Sequence, residues 1–172
     1  MYTIGALVIV FDASTLIILA KVSLLREVLV AHKAMIPPII QEECTRESTR
    51  EDAQLIAQLI KEELLVIVEP ERTNRISQIA EDFSLHRGET AALHLAWQEK
   101  APLATDDTPT RKACKILNIR SIIAVAFLER LVQRDLLSGE RALSLVKKFK
   151  QYGRYDAETL EAVKAKIKQR RR

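Results

Sequence analysis

The sequence predicts an α/β fold, with a short parallel sheet of four or five strands and helices on both faces of the sheet. Apolar runs rich in β-branched residues, such as Leu7–Phe11 and Leu65–Val68, have the length of buried strands. Segments of helical period, such as Glu51–Leu64, stand between them. Because strands alternate with helices, we expect helical crossovers between parallel strands. The length of 172 residues suits one domain.

The candidate strands are short apolar runs bounded by polar or turn-forming residues. Asp12 ends the first run, and Glu69 and Pro70 close the third. The five candidates are Leu7–Phe11, Met35–Ile36, Leu65–Val68, Leu103–Thr105 and Ile119–Ile123.

Caps and prolines define the predicted helices. Ser14 is a candidate cap for one helix over residues 15–29, and Pro38 suits the first turn of a helix that runs to Cys44. Thr108 is a candidate cap, with Pro109 at the first position, for a helix over residues 108–117. The pattern also predicts helices over Glu51–Leu64 and Asn74–Phe83, then a loop at residues 86–88 and a helix over Glu89–Lys100. After the last strand it predicts helices to the end of the chain, with breaks at residues 138–139 and 152–153.

Composition narrows the class of protein. Apolar residues make up 48% of the chain, which excludes wholesale disorder, and no apolar run reaches the length of a membrane span. The first residues lack the basic region of a signal peptide and are interpreted as the start of a strand. Cys44 and Cys114 have no CxxC spacing, so we expect two reduced, buried thiols. These features predict a cytoplasmic protein.

Basic charge is concentrated at the C-terminal end. The formal net charge is +4, and residues 164–172 (KAKIKQRRR) hold six of the 27 lysines and arginines. Without these six, 21 basic residues stand against 23 acidic ones. The segment is either a solvated helix end or a contact for nucleic-acid phosphates, and its composition does not separate the two.

Five acidic residues that are distant in sequence mostly stand where an apolar run ends or a helix begins: Asp12, Glu43, Glu89, Asp106 and Asp107. In a parallel sheet such places lie along one edge, where active sites usually form. Carboxylates gathered there repel one another, so the arrangement costs stability unless a cation lies between them. Mg²⁺ or Mn²⁺ is the simplest such cation, and phosphodiester hydrolysis is its simplest use.

Structural roles compete with metal binding at these positions. Asp12 suits a turn or a helix cap, and Ser14 is able both to cap the helix and to orient the Asp12 carboxylate. Glu89 stands in a first helical turn, where the helix dipole stabilises any anion.

Two choices stay open from the residues alone. Glu42 and Glu43 point roughly 100° apart on their helix, so only one of them faces the site, and the apolar periodicity does not decide which. Asp106 and Asp107 follow the same strand, and one of them is able to bind a metal while the other contacts a water.

Four segments resemble the acidic motifs of the PIN domain, in the usual order. They are VIVFDAS, PPIIQEEC, RGETAALHLA, and LATDD with the following TRKACKILNI. The GE and DD variants, with VQRDLLS and YGRY, resemble a prokaryotic, especially archaeal, subgroup similar to VapC toxins. The resemblance covers Leu7 to Tyr155 and implies a PIN-like nuclease domain over residues 1–155, followed by a C-terminal helix and basic tail over residues 156–172.

The resemblance implies a three-layer α/β/α sandwich and a metal-dependent endoribonuclease that cuts single-stranded or structured RNA. By motif position, the ligands of Mg²⁺ or Mn²⁺ are Asp12, Glu43, Glu89 and Asp107. Asp107 is chosen by its spacing from Thr105, and Asp106 is a further catalytic acid. Ser14 and Thr105 are supporting residues. Many relatives have aspartate where this chain has Glu89, which lengthens that ligand by one methylene.

The same resemblance implies partners. An RNA substrate and a homodimer are expected, and the protein is either a toxin with an antitoxin partner or an RNA-processing nuclease. The alternative from another class is a non-catalytic module that keeps the fold and binds RNA or protein. The retained acids argue against it, because a scaffold gains nothing from mutually repelling carboxylates.

Other classes fit the sequence poorly. Ser14 stands where a haloacid-dehalogenase-like phosphatase needs its second aspartate, and the order of acids is the reverse of that in a receiver domain. The sequence has neither a GxxxxGK[ST] loop nor a GxGxxG loop for nucleotides. His32, His86 and His94 lack paired ligand spacing, which argues against zinc.

Overall fold

The computed structural model describes residues 7–169, which contain a five-stranded parallel sheet covered by ten helices. The strands are β1 (Val8–Phe11), β2 (Lys33–Ile36), β3 (Leu65–Ile67), β4 (Leu103–Ala104) and β5 (Ser121–Ile122). The helices are α1 (Ala13–Lys21), α2 (Leu25–Ala31), α3 (Pro38–Thr45), α4 (Glu51–Lys61), α5 (Asn74–Asp82), α6 (Arg87–Gln98), α7 (Thr108–Ile116), α8 (Ala126–Gln133), α9 (Gly139–Tyr152) and α10 (Ala157–Gln169).

Alternate residues of the central strands enter two separate cores. In β1, Ile9 and Phe11 pack with α1, α2 and α8 to α10, whereas Val10 packs with α5, α6 and α7. In β2, Ile36 belongs to the first core and Met35 to the second. This alternation is the two-residue period of a strand buried on both faces. The predicted three-layer α/β/α sandwich is therefore confirmed.

The strand order is β3-β2-β1-β4-β5, and every pairing is parallel. From β1 the chain moves outward to β3, then returns to the other side of β1 and continues to β5. Such a reversal opens a crevice at the carboxyl ends of the two central strands, where ligands of open α/β sheets bind. In this protein the crevice lies just beyond Phe11 and Ala104.

Several predicted helix boundaries are wrong, because aspartates cap two of the helices. Asp12, not Ser14, caps α1, and Asp107, not Thr108, caps α7. Residues 87 and 88 of the expected loop at residues 86–88 are already helical, since α6 begins at Arg87. Aspartate and serine are about equally good caps, so composition alone does not choose between neighbours.

The single helix predicted over residues 15–29 is two helices, α1 and α2. Ser23 separates them with a φ of 60°. Its N–H donates to the Ala20 carbonyl, and the Leu24 N–H donates to the Leu19 carbonyl. These paired bonds form a Schellman motif, which ends a helix through one left-handed residue.

The same device ends helices throughout the described part of the chain. Each non-glycine residue with positive φ occupies the left-handed position, and a residue with an apolar side chain follows it. The six are Ser23, Glu63, Ser84, Lys100, Asn118 and Asp135. Glycine usually holds this position, but the chain has only four glycines. Because no glycine stands at this position, no local signal predicted the break at Ser23.

The last helix packs into the first core. Leu160, Val163 and Ile167 of α10 are buried against α8 and α9. The domain boundary expected after residue 155 stays a prediction. Of the basic tail, residues 170–172 lie outside the described residues. Among residues 7–169, no helix combines the length and hydropathy needed to cross a membrane.

We expect Lys100→Gly to raise the free energy of unfolding by about 0.5–1 kcal/mol, because glycine adopts a φ of 50° without the steric cost of a Cβ. Urea unfolding measures the change. Lys147→Gly is the matched control, since the same substitution inside α9 lowers stability by up to about 1 kcal/mol. Equal effects of the two substitutions would contradict the role given to the left-handed position.

Candidate functional site

Asp12 lies at the carboxyl end of β1 and is only 2% exposed. Its Oδ1 accepts the Thr15 N–H at 2.8 Å, and the Ser14 hydroxyl lies 3.2 Å from both carboxylate oxygens. Its own N–H donates to the Ala104 carbonyl at 3.1 Å, which fixes it beside the end of β4. Asp12 is thus both the cap of α1 and a carboxylate facing the crevice between β1 and β4.

Asp106 stands two residues beyond β4, across this crevice from Asp12. Its Oδ1 accepts the Ala124 N–H at 2.9 Å, and its Oδ2 accepts the Tyr155 hydroxyl at 2.5 Å. The two donors follow β5 and α9 respectively, so three distant parts of the chain meet at one carboxylate. They hold Asp106 in a fixed orientation.

Burial disfavours the charged forms of both acids, and at Asp12 the charge of Asp106 adds to this effect. Burial raises the pKa of Asp12 from 3.8 to about 6, the Asp106 charge adds to the rise, and hydrogen bonds from Thr105 and from the Thr15 N–H oppose it. Burial also raises the pKa of Asp106, against the Tyr155 and Ala124 hydrogen bonds and the nearby Arg111 charge. A cation between the two carboxylates would reverse this penalty.

Glu43 and Glu89 form a second acidic pair, at the N-terminus of α6. The Glu43 carboxylate lies over Gly88, so close that a Cβ at position 88 would come within 2.6 Å of Oε2. Partial burial and the neighbouring Glu89 raise the pKa of Glu43, while the Arg46 charge opposes the rise. Glu42 instead lines a separate cavity. The structure therefore brings Glu43, rather than Glu42, beside Glu89.

Besides Asp12, two more of the five acids serve as helix caps. Glu89 Oε2 accepts the His86 N–H at 2.8 Å. Asp107 Oδ2 accepts both the N–H and the hydroxyl of Thr110, at 2.8 and 2.7 Å. Burial is the main cause of the raised pKa of Asp12, and the repulsion that adds to it comes from Asp106 rather than from Asp107. One carboxylate oxygen of Asp107 is already hydrogen-bonded within α7.

Cys44 lies between the two acidic pairs. The charges of Glu43 and Asp12 both act on its thiol, whose pKa burial raises to about 12. Its Sγ lies 3.9 Å from the Ala13 carbonyl. A buried thiol with such a pKa stays protonated and is a poor nucleophile or ligand. Cys44 therefore fills the space between the pairs.

Within residues 7–169, no three acidic, histidine or cysteine side chains converge closely enough to cage a metal ion. This geometry does not fit Zn²⁺, which needs three or four protein ligands. It fits Mg²⁺ or Mn²⁺ better, because Mg²⁺ usually binds one or two carboxylates and keeps several waters or substrate phosphates. The donor set is all oxygen, which agrees with that choice. Asp12 with Asp106 is the pair best placed to hold such an ion.

The sequence did not reveal Tyr155 as part of the site. Burial, together with the Asp106 carboxylate, raises the pKa of its hydroxyl, so it is a permanent donor. Gly153 lets the ring approach, since a Cβ at position 153 would lie 2.2 Å from it, and Phe149 packs edge-on against it. A glycine two residues before a tyrosine, just after an amphipathic helix, was the available signal.

Comparison with known proteins identifies the family of the chain. A family model described as PIN domain matches residues 8–169, nearly the whole chain. The chain belongs to the PIN-domain family. PIN domains are generally nucleases, which fits acids gathered at the carboxyl edge of a parallel sheet. None of the curated proteins matches the chain.

We expect the stability of this metal-free PIN domain to fall as the pH rises from about 4 to 7. The native state holds the Asp12 proton up to about pH 6, whereas an unfolded aspartate loses it near 3.8. The stabilisation is thus complete below 3.8 and is lost as the pH rises through 6, a change of about 3 kcal/mol.

Asp12→Asn removes this dependence. In chelator, urea unfolding should show the variant gaining stability relative to wild type as the pH rises from 4 to 7. A difference that stays constant across this range would show that Asp12 does not titrate as its burial requires.

Proposed function

We propose that this PIN domain is an endoribonuclease that requires Mg²⁺ or Mn²⁺. The observation that carries the proposal is the facing pair of Asp12 and Asp106 at the switch point of the sheet. Each carboxylate is oriented by donors from the protein, and burial disfavours the charge of both. Functional sites are where such unfavourable charge is usually found.

The two acidic pairs have different roles in metal binding. Asp12 and Asp106 are the rigid part, because backbone N–H groups and the Tyr155 hydroxyl fix their oxygens. Glu43 and Glu89 are more accessible and would hold metal-bound waters from the side of α6 rather than the ion itself. When bound, a divalent cation makes water more acidic and offsets the negative charge that develops on the phosphate.

Arginines around the acids support a phosphodiester substrate. The Arg46 and Arg87 charges act on Glu43, and the Arg111 charge acts on Asp106. All three arginine side chains are exposed. Cations at the rim attract a nucleic-acid strand with or without a metal, while the acids at the centre repel the one phosphate that lies directly against them unless a metal is present. RNA, rather than DNA, is proposed because of the family resemblance.

The remaining expectations rest on the resemblance alone. A toxin role with an antitoxin partner, an RNA-processing role and a homodimer stay predictions.

A non-catalytic RNA- or protein-binding module is the second candidate. One observation favours it: among the described residues, no three acids converge on one point. In that case the acids would repel one another without compensation, and neither metal nor RNA cleavage would be observed.

Two measurements during a titration of Mn²⁺ into the metal-free protein distinguish the nuclease from the non-catalytic module. They are the melting temperature of the protein and the rate at which it cleaves labelled RNA. For the nuclease we expect stabilisation of about 2.7 kcal/mol at 100 times the Kd, because the metal binds the folded state. Asp12→Asn should abolish this gain and slow cleavage at least about 100-fold.

Asp82→Asn is the matched control, because it removes the same charge from the exposed surface of α5. It should behave as wild type. No stabilisation of wild type at millimolar Mn²⁺, together with no cleavage, would overturn the nuclease in favour of the module.

Tyr155→Phe tests whether the tyrosine hydroxyl orients Asp106. The ring packing against Phe149 is kept, and only the donor to Oδ2 is lost. Groups that orient ligands typically change metal affinity by about 10–100-fold, so we expect Mn²⁺ binding by calorimetry to weaken within that range.

Tyr152→Phe is the control, because this tyrosine is 48% exposed and lies three residues earlier. If Tyr155→Phe binds Mn²⁺ as tightly as Tyr152→Phe does, the hydroxyl has only a structural role.

A further inference from the structure

A cavity of about 410 Å³ lies beside the acidic centre, between the start of α3, the loop from β3 to α5, and the first turns of α5 and α6. Two of its lining residues are direct sequence neighbours of the site. Glu42 precedes Glu43 on α3, and Arg87 precedes Gly88 on α6. The cavity therefore adjoins the two helices, α3 and α6, that carry Glu43 and Glu89.

The floor of the cavity is a fixed polar unit formed by His94 and Ser77. His94 is 2% exposed, and its Nδ1 lies 3.3 Å from the Thr73 N–H, which donates to it. Burial, aided by the Arg72 charge, lowers the pKa of His94 against a hydrogen bond with the Glu71 backbone, so the ring is neutral. We assign its proton to Nε2, because Nδ1 accepts the Thr73 N–H. Nε2 is 3.3 Å from Ser77 Oγ.

This arrangement sets the direction of the Ser77 hydroxyl. Since His94 Nε2–H donates to Ser77 Oγ, the hydroxyl hydrogen of Ser77 is left to donate elsewhere. Ser77 lines the cavity and is partly exposed to it. The cavity thus has a hydrogen-bond donor at its floor, held in place by a buried histidine.

The walls and the rim differ in character. Pro37, Pro38, Pro70 and Leu85 supply apolar walls against which a flat ring can pack. Arg72 and Arg87 are exposed, and within residues 7–169 neither has an ion-pair partner.

The acids Glu42 and Glu69 also line the cavity. Their carboxylates repel phosphates but accept hydrogen bonds from the amino groups of bases. The phosphate of a bound nucleotide is therefore directed toward the arginines and its base toward the interior.

We propose that this cavity is a subsite for one nucleotide of the substrate strand, next to the phosphate cut at the acidic centre. The inference rests on the proposed nuclease function. The volume lies at the small end of the range for ligand pockets, about 300–1,000 Å³, and suits one nucleotide. Single-stranded RNA exposes unstacked bases, which proteins bind one at a time in this way.

The test is the binding of a fluorescein-labelled six-nucleotide RNA of mixed sequence, measured by anisotropy in EDTA so that no metal contributes. Arg72→Ala should weaken binding and reduce the slope of log K against log[salt] by about 0.7, because one phosphate contact is lost from a single strand. Ser77→Ala should weaken binding roughly fivefold without changing the slope, since a neutral hydrogen bond is lost.

Arg120→Ala is the matched control. Arg120 is an exposed arginine at the amino-terminal edge of the sheet, beside β5, so its loss should leave both the affinity and the slope unchanged. Melting temperatures of the three variants verify that each is folded. Because Arg72 is exposed, its substitution tests the subsite even if Ser77→Ala disturbs the His94 contact.

The outcomes test the proposed subsite and the proposed nuclease activity independently. Wild-type binding with the expected losses, but no cleavage in Mn²⁺, would keep the subsite and overturn the proposed catalysis. Cleavage in Mn²⁺ with Arg72→Ala and Ser77→Ala binding as wild type would overturn the subsite and keep the nuclease. Absence of RNA binding by wild type, or an equal loss with Arg120→Ala, would also overturn the subsite.

Discussion

The burial of two neighbouring carboxylates, Asp12 and Asp106, carries an energetic cost that much of the surrounding structure offsets. Burial of Asp12 disfavours its charge, and Asp106 adds repulsion. The surroundings offset part of this cost with the Thr15 N–H, the Ala124 N–H and the Tyr155 hydroxyl. These donors come from α1, from the segment after β5 and from the segment after α9, so distant packing contacts all serve the same two side chains.

The topology explains why the acids meet. The strand order runs outward from β1 to β3 and then continues on the other side of β1 with β4, and such a switch point opens a crevice at the carboxyl ends of the strands. Asp12 and Asp106 occupy these ends, while Glu43 and Glu89 approach from α3 and α6. The result is two pairs separated by Cys44 rather than one closed cage, a geometry that leaves room for waters and for a substrate phosphate.

Most of the fold followed from local patterns, because a buried parallel strand must be a short apolar run. The break at Ser23 could not be predicted in this way, because serine rarely adopts the left-handed conformation that ends the helix there. Asp12 was found by its place after β1, and Glu43 was found only through the resemblance. The bond from Tyr155 to Asp106 spans 49 residues and depends on how α9 packs, which no local pattern contains. Long-range contacts of this kind decide which of two adjacent acids faces the crevice.

Gly88 has a consequence for how the protein evolves. A Cβ at this position would meet the Glu43 carboxylate, which is the free end of a flexible side chain. The helix would gain from alanine, and the acid would swing aside, so folding tolerates the change better than the site does. Substitutions at positions 43 and 88 are therefore expected to occur together during evolution. A lineage that abandons the acid becomes free to fill position 88, whereas a lineage that uses the acid must keep the space empty.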